Sequence, residues 1–340
     1  MAIVKNGRLE YEMSMIDVTY PDIGKVTYRG SYPLIVSNQW TPTPKQSDCL
    51  TFTGKDSDFT LAASNKTWDG TLEWSTDRNA WTTLVGTEEM QSVDQKLYLR
   101  GKNTKFSEVS FDDPEDASGV QWVLSAKADC SGNIQTLLDW ENLPMIISTN
   151  FCYFNMFNGC ENLTSAPELP ATTLAAGCYS GMFANCFNLT SAPELPATTL
   201  AAGCYSGMFK DCPLTATPDL PATTLADSCY SGMFENCYNL TIAPAVLPAT
   251  TLADSCYFNM FRHCNSLTAA PELPATTLAA GCYRYMFGTC SELKVNTTSG
   301  NKIFTCPSDI PTDAVFMMFT ETGGTFIGSP TAGNTYYWTE

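Results

Sequence analysis

From Leu143 to Cys290 apolar and polar residues return in one order again and again, most clearly in CFNLTSAPELPATTLAAGCYSGMFKDC, Cys186 to Cys212. Cys152, Cys178, Cys204, Cys229, Cys256 and Cys282 mark one column, each with a second cysteine eight residues on, at Cys160, Cys186, Cys212, Cys237, Cys264 and Cys290. The step within either column is 26 residues, apart from one of 25 and a compensating one of 27. A fixed period in the twenties predicts a solenoid, because one such unit cannot bury its apolar face alone and must share a core with its neighbours. In the copy starting at Leu163, the predicted inward residues are Leu163, Ala166, Leu169, Leu174, Cys178, Met182, Phe183 and Cys186. LTSAPEL is expected to be the strand that pairs along the stack, brief or bulged at Pro167, which has no N–H to donate. Pro170 fixes the exit, and Thr172-Thr173 turns the chain toward the second apolar segment.

The pattern differs on either side, and the fold class expected for the whole is mainly β. Residues 1–45 alternate around IDVTYPDIGKVTYRGSYPLIV, with Val18, Tyr20, Val26, Tyr28 and Tyr32 favouring strand, and predict an N-terminal arm that anchors and oligomerises. The polar TPTPKQSD links it onward. Residues 46–130 hold short apolar runs (CLTFTG, DFTLAAS, TLEWSTD, WTTLVG, KLYLRG, FSEVSF, VQWVLSA) broken by Gly, Asp, Asn and Ser, the signature of a small β-sandwich. In residues 131–142, SGNIQTLLDW predicts a capping helix with Ile134, Leu137 and Leu138 on one face. Residues 143–295 are the repeats, and 296–340 read as a degenerate last repeat around Ala314–Phe319 plus a strand-rich closing cap.

Composition narrows the function. The chain has 340 residues, 44% of them hydrophobic, and a formal charge of −17 from 35 acidic and 18 basic residues. Such a balance argues against nucleic acid or an anionic membrane as partner, since phosphate binding needs clustered Lys and Arg. No stretch reaches the length of a membrane span, so no membrane insertion is expected. The opening MAIVKNGRLEYEMSMIDVTY lacks a basic n-region followed by an apolar core, and reads as a cytosolic start or as a mature or trimmed chain. Twelve of the 15 cysteines sit in the two columns, with Cys49, Cys130 and Cys306 outside them. Stacked identical positions make them core thiols, with loop-closing C-x7-C disulfides as the alternative.

The layout resembles the BspA-type leucine-rich repeats of bacterial surface proteins, whose pattern of about 23 residues falls within the range of leucine-rich repeats. The residues of one unit that match are Cys186, Leu189, Ala192, Leu195, Pro196, Leu200, Cys204, Met208 and Phe209. The ELPATTLA and CYxxMF blocks are similar to repeats of gut Bacteroidales surface proteins and of phages that infect them, where a small β-domain and a GNIQ-LLD segment often precede the repeats. The resemblance implies adhesion and partner binding. It implies no catalytic residues.

Positions that vary among near-identical copies stand out as a candidate face. One set is Phe154-Asn155, Ser180-Gly181, Ser206-Gly207, Ser231-Gly232, Phe258-Asn259 and Arg284-Tyr285; the other is Asn158-Gly159, Ala184-Asn185, Lys210-Asp211, Glu235-Asn236, Arg262-His263 and Gly288-Thr289. Either this is a surface drifting without contact, or it is a binding face whose chemistry changes by unit. Phe154, Asn155, Lys210, Asp211, Phe258, Asn259, Arg262, His263, Arg284 and Tyr285 are its candidate residues. A constant column of Tyr153, Tyr179, Tyr205, Tyr230, Tyr257 and Tyr283 suits either half-buried packing or stacking on sugar rings. Glu168, Glu194, Asp219 and Glu272, interrupted by Ala245, supply one carboxylate per unit, fewer oxygens than calcium requires.

Catalytic chemistry finds little to stand on. His263 is the one histidine, beside the core position Cys264; no C-x-x-C pair builds a zinc site and no Gly-rich loop cradles phosphate. Glu88-Glu89 and Asp112-Asp113 lie in polar turns without glycosidase spacing. No catalytic residue, metal or cofactor is expected. The sequence thus predicts a non-enzymatic phage virion surface protein, a fibre or decoration protein, docking on other virion proteins through residues 1–45, homo-oligomeric, and adhering to glycan or protein on the host surface or mucus. The alternative is a bacterial cell-surface adhesin of the same repeats.

Overall fold

The computed structural model describes four strands within residues 1–28, and then residues 49–108 and 118–339. The chain divides into two units, Met1–Pro42 and Thr43–Glu340. In the first, β1 (Ile3–Lys5) pairs antiparallel with β2 (Arg8–Glu10), and β3 (Ile16–Tyr20) with β4 (Gly24–Tyr28) in a register that sets Val18 opposite Val26. The rest of the expected arm, the TPTPKQSD link and Asp112-Asp113 lie outside the described residues.

The second unit is mainly β, built from several small sheets. Its first part carries β5 (Leu50–Gly54), β6 (Thr60–Ala63), β7 (Thr71–Ser75), β8 (Thr82–Thr83), β9 (Met90–Gln91), β10 (Lys96–Lys102), β11 (Ser107–Glu108), β12 (Ser118–Gly119), β13 (Trp122–Leu124) and β14 (Ala128–Ser131). These follow the apolar runs, whose alternating residues face a core: Leu50 and Phe52 in β5, Leu61 and Ala63 in β6. With β15 (Leu163–Ser165) they form a six-stranded sheet, β15-β14-β5-β10-β7-β8, a three-stranded sheet, β13-β6-β9, and a β11-β12 pair.

The helix expected over Ser131–Trp140 is shorter. Ser131 is the last residue of β14, paired with Thr51, and Gly132 turns the chain at φ 81°, so α1 spans only Thr136–Asp139. The Asn133 side chain, rather than Ser131, accepts an N–H, from Gln135 at 2.8 Å. Ile134, Leu137 and Leu138 are buried as predicted.

The repeats place most of their order in the CYxxMF block. In residues 177–185 alternate N–H groups donate to the next unit: Gly177 to Ala202, Tyr179 to Cys204, Gly181 to Ser206, Phe183 to Met208 and Asn185 to Lys210, at 2.8–3.0 Å. The residues between them close i→i−3 turns, as Ser180 to Gly177 and Met182 to Tyr179. The same five-bond ladder joins the segments starting at Phe151, Gly203, Ser228, Ser255 and Gly281 to their successors. Every fourth residue (Gly177, Gly181 and Asn185) has positive φ, the conformation that the second central residue of a type II turn requires. Two residues therefore face in and two face out, a period of four that belongs to neither helix nor strand.

The LTSAPEL strand forms in one copy only. Leu163–Ser165 pairs parallel with β14, whereas later copies make isolated bridges such as Ala216 with Ile242 and Val246 with Glu272. Each copy carries a proline there (Pro167, Pro193, Pro218, Pro244, Pro271), which removes a ladder donor, so the turn block takes over the pairing. After Cys290 a further turn segment, Asp313–Glu321, accepts the ladder of the segment before it, with Tyr283 donating to Ala314 and Phe287 to Met318. A four-stranded sheet completes the chain, ordered β17 (Asn301–Thr305), β19 (Thr335–Thr339), β16 (Lys294–Asn296), β18 (Gly323–Gly324). Among the described residues no helix is long and apolar enough to cross a membrane.

Candidate binding face

The inward side of the turn blocks is sealed. Of the eight inward residues predicted for the copy at Leu163, seven are buried and Ala166 is partly so. Phe157, Phe183, Phe209, Phe234, Phe261, Phe287 and Phe319 stack at centroid distances of 5.4–5.8 Å. Tyr153 to Tyr283 stack likewise at 5.6–5.9 Å and are at most 1% exposed. The tyrosine column is therefore core, so that of the two readings open to it packing holds and stacking on sugar rings does not: its rings are enclosed in the stack, with the Tyr153 hydroxyl donating to the Ile134 carbonyl at 3.2 Å. The reason is the period of four, which sends Tyr inward beside its Cys neighbour.

All fifteen cysteines are buried, and the twelve of the two columns are free thiols. The second column has a definite partner: Cys186, Cys212, Cys237, Cys264 and Cys290 donate S–H to the carbonyl of the phenylalanine one unit back, at 3.0–3.1 Å. Burial pushes the thiols of both columns up, to about 12 for Cys160, Cys212 and Cys290 and to about 11 for Cys282, so they stay protonated and unreactive.

The outward side carries the candidate residues, and much of its variability has a backbone cause. Asn155, Gly181, Gly207, Gly232, Asn259 and Tyr285 all have positive φ, as do Gly159, Asn185, Asp211, Asn236, His263 and Thr289. Gly, Asn, Asp and His are the residues that tolerate this region. His263 thus stands where the turn accepts it, its Nδ1 2.6 Å from the Thr289 hydroxyl. Tyr285 at φ 55° and Thr289 at φ 61° do not fit that preference and carry backbone strain.

The face divides along its length. At the start, Phe154 is half-buried, its ring edge-on to Phe151 at 5.9 Å, and its carbonyl is so close to Gly119 of β12 that an added Cβ would lie 2.0 Å away. Asn155 accepts from Asn158 at 3.1 Å, and Asn185 donates to Asn158 at 3.1 Å, a row of amides. Phe154 and Asn155 lie four units before Phe258 and do not join the other candidates. Further on, Lys210 pairs with Glu235 at 2.9 Å, and Arg262 reaches the same carboxylate at 3.8 Å. Asp211 accepts from Asn236 at 2.9 Å. Arg262 and Arg284 lie over the Tyr285 ring at 5.3 and 5.6 Å, Arg284 also over Phe316 at 5.3 Å, with Asp313 at 2.9 Å. Lys210, Arg262 and Arg284 are the only basic residues between Leu143 and Cys290, and all three lie on this face with the one histidine.

A depression of about 180 Å³ opens between the third and fifth units, lined by Ser206, Gly207, Lys210, Ser231, Gly232, Glu235, Phe258 and Asn259. Asn259 is 9% exposed, donates weakly to Glu235 at 3.5 Å, and leaves its side-chain oxygen without a partner. Sequence reasoning placed Lys210, Phe258 and Asn259 in the face but did not single out Glu235, the two glycines of the floor, or Phe316. Glu235 was visible as the acid aligned with Lys210 and Arg262, and Phe316 as the residue aligned with Arg284. Glu168, Glu194, Asp219 and Glu272 are exposed, and among the described residues no group of three or more His, Cys, Asp or Glu side chains is placed to hold a metal ion. Glu88 accepts the N–H groups of Val85 and Gly86 at 2.9 and 2.8 Å, the work of a turn carboxylate. Comparison with protein-family models, with curated proteins and with solved structures gives no match to this chain.

Proposed function

We propose that this is a non-enzymatic display protein in which BspA-type leucine-rich repeats, wound as a solenoid behind a small β-sandwich, present the outward ribbon for adhesion. The observation that carries it is the segregation of the turn blocks: every inward pair is nearly invariant and buried, while the basic residues and the histidine of the repeats collect on the outward pairs. Solenoids of this size bind through such extended surfaces. The resemblance of the repeats to those of gut Bacteroidales and their phages, together with the twelve buried thiols of the two columns, favours a virion fibre or decoration protein over a secreted adhesin. Free thiols persist where the compartment is reducing, as in the cytosol where virions assemble. Residues 1–45 then dock on the particle and oligomerise.

Immunogold microscopy with antibody against residues 143–290, applied to the source culture and its phage lysate, tests this. Gold on particles is expected; gold on cell envelopes alone would make the chain a bacterial adhesin instead. Particles should also lack a chain deleted of residues 1–45 while its repeats remain folded, and incorporation of that truncated chain would remove the docking role.

A further inference from the structure

The depression at the third to fifth units differs from the rest of the ribbon, and the difference has a cause in sequence. Three consecutive units carry glycine, Gly181, Gly207 and Gly232, where others carry Asn155, Asn259 or Tyr285, but over Gly181 the space is taken by the Asn155 amide, whose oxygen lies 2.1 Å from an added Cβ. A Cβ added at Gly207 meets nothing within 4 Å, and one at Gly232 meets only the Glu235 side chain, at 3.6 Å and beyond. The hollow exists because two side chains are missing from its floor. Half-buried Phe258 and the Lys210–Glu235 ion pair are among the residues that line it. Ser231 adds a hydroxyl. Asn259, nine-tenths buried, holds a side-chain oxygen that no protein group satisfies, whereas buried polar atoms of native folds ordinarily have a partner.

We infer that this hollow is a saccharide-binding site, taking one ring of a neutral or weakly charged glycan; the inference rests on the reading of the ribbon as a binding face. One ammonium and one carboxylate cancel in it, so it is built for neither an anion nor a cation. What remains is one aromatic residue, Phe258, to meet the apolar side of a sugar ring, with donors and acceptors beside it for hydroxyls. At about 180 Å³ it falls below the roughly 300–1,000 Å³ of pockets that enclose a small molecule, and suits one residue of a chain lying across the surface. The ribbon continues past it in both directions, toward the Asn158–Asn185 amides and toward Arg262, Tyr285 and Phe316, so neighbouring residues of the glycan would also find polar and aromatic contacts.

The full chain should be applied to a printed array of bacterial and mucin-type saccharides, and the best array sugar titrated by calorimetry against three variants. Gly207→Asn fills the floor with a residue that accepts φ 60°. Phe258→Ala removes the ring, and Glu194→Gln alters the exposed carboxylate column elsewhere. Wild type should retain at least one sugar, Gly207→Asn and Phe258→Ala should weaken it by about tenfold or more, and Glu194→Gln should stay within about twofold. Circular dichroism of Gly207→Asn should match wild type, which separates a filled site from a misfolded chain. An empty array, or wild-type affinity in Gly207→Asn, overturns the site. So does binding to host cells that survives periodate oxidation of their sugars and is lost on protease treatment, since the partner is then a protein. Sugar binding without gold on particles would remove the virion reading and leave this one standing; gold on particles with an empty array would do the reverse.

Discussion

Within each turn block the inward and outward residue pairs follow each other along the chain, yet they obey different rules. Inward pairs such as Tyr205 with its cysteine, or Met208 with Phe209, are fixed by contact: each ring lies between two identical rings one unit away. Outward pairs contact chiefly one another along the ribbon, and what they share is backbone conformation, a positive φ at the second residue of each pair. Constancy on one side therefore reports packing. Variety on the other is narrower than it looks, being a choice among residues that accept the left-handed region. Only the departures from that choice, Tyr285 and Thr289, and the charge gathered on the first residues of the pairs, ask for a functional account.

The strongest way to break the inward side is alkali. Cysteines of an unfolded chain ionise from 9.0, while burial holds the column thiols protonated to about 11 at Cys282 and about 12 at Cys160 and Cys229. A folded value above the unfolded one means stability is complete below 9.0 and falls as pH rises through that window. Each such thiol withdraws about 1.4 kcal/mol per pH unit. With twelve in the columns, near-UV circular dichroism should collapse cooperatively between about pH 9 and 11; a native spectrum above that range would sink the thiol ladder. Next in size is Phe209→Ala, at the centre of the phenylalanine stack, which should cost about 3–5 kcal/mol in urea unfolding. Phe258→Ala on the outward side should cost well under that, and equal losses would erase the distinction.

The outward rule is sharpened by replacing Gly203, at φ 59° with nothing within 4 Å of an added Cβ. Gly203→Val should lose about 1–3 kcal/mol through strain alone, whereas Gly203→Asn should fall near neutral. Similar melting for both would show that φ does not govern the column. The smallest effect belongs to Lys210→Ala: its ion pair with Glu235 leaves Lys210 43% exposed, so the loss should be about 0–1 kcal/mol and should fade with salt.

How much of this was legible beforehand varies with the kind of interaction. Leu163, Leu169, Leu174, Cys178, Met182, Phe183 and Cys186 were identified as core from the period alone, because stacking repeats puts each position on its own copy. The pairing element was not. LTSAPEL has the alternation of a strand, but its proline in every copy leaves the ladder to a block whose alternation of four residues matches no regular structure. The tyrosine column went inward for the same reason, and no count of apolar residues separates a buried Tyr beside Cys from an exposed one. In the face, Lys210, Phe258, Asn259, Arg262, Arg284 and Tyr285 stood out as variable, whereas the hollow depended on Gly207 and Gly232, whose meaning lies in what they omit.

The sequence by itself determined the register of the stack: identical residues at a spacing of 25 to 27 must superpose, and their apolar members must share one interior. It also determined that the basic residues of the repeats fall in the outward columns. Only the tertiary structure decided that the turns, not the strands, carry the ladder, that Phe154 is held against β12, and that Lys210, Glu235, Phe258 and Asn259 enclose one space. Those outcomes depend on which backbone groups find partners across units and which side chains are absent between neighbours, and neither quantity is a property of one stretch of chain.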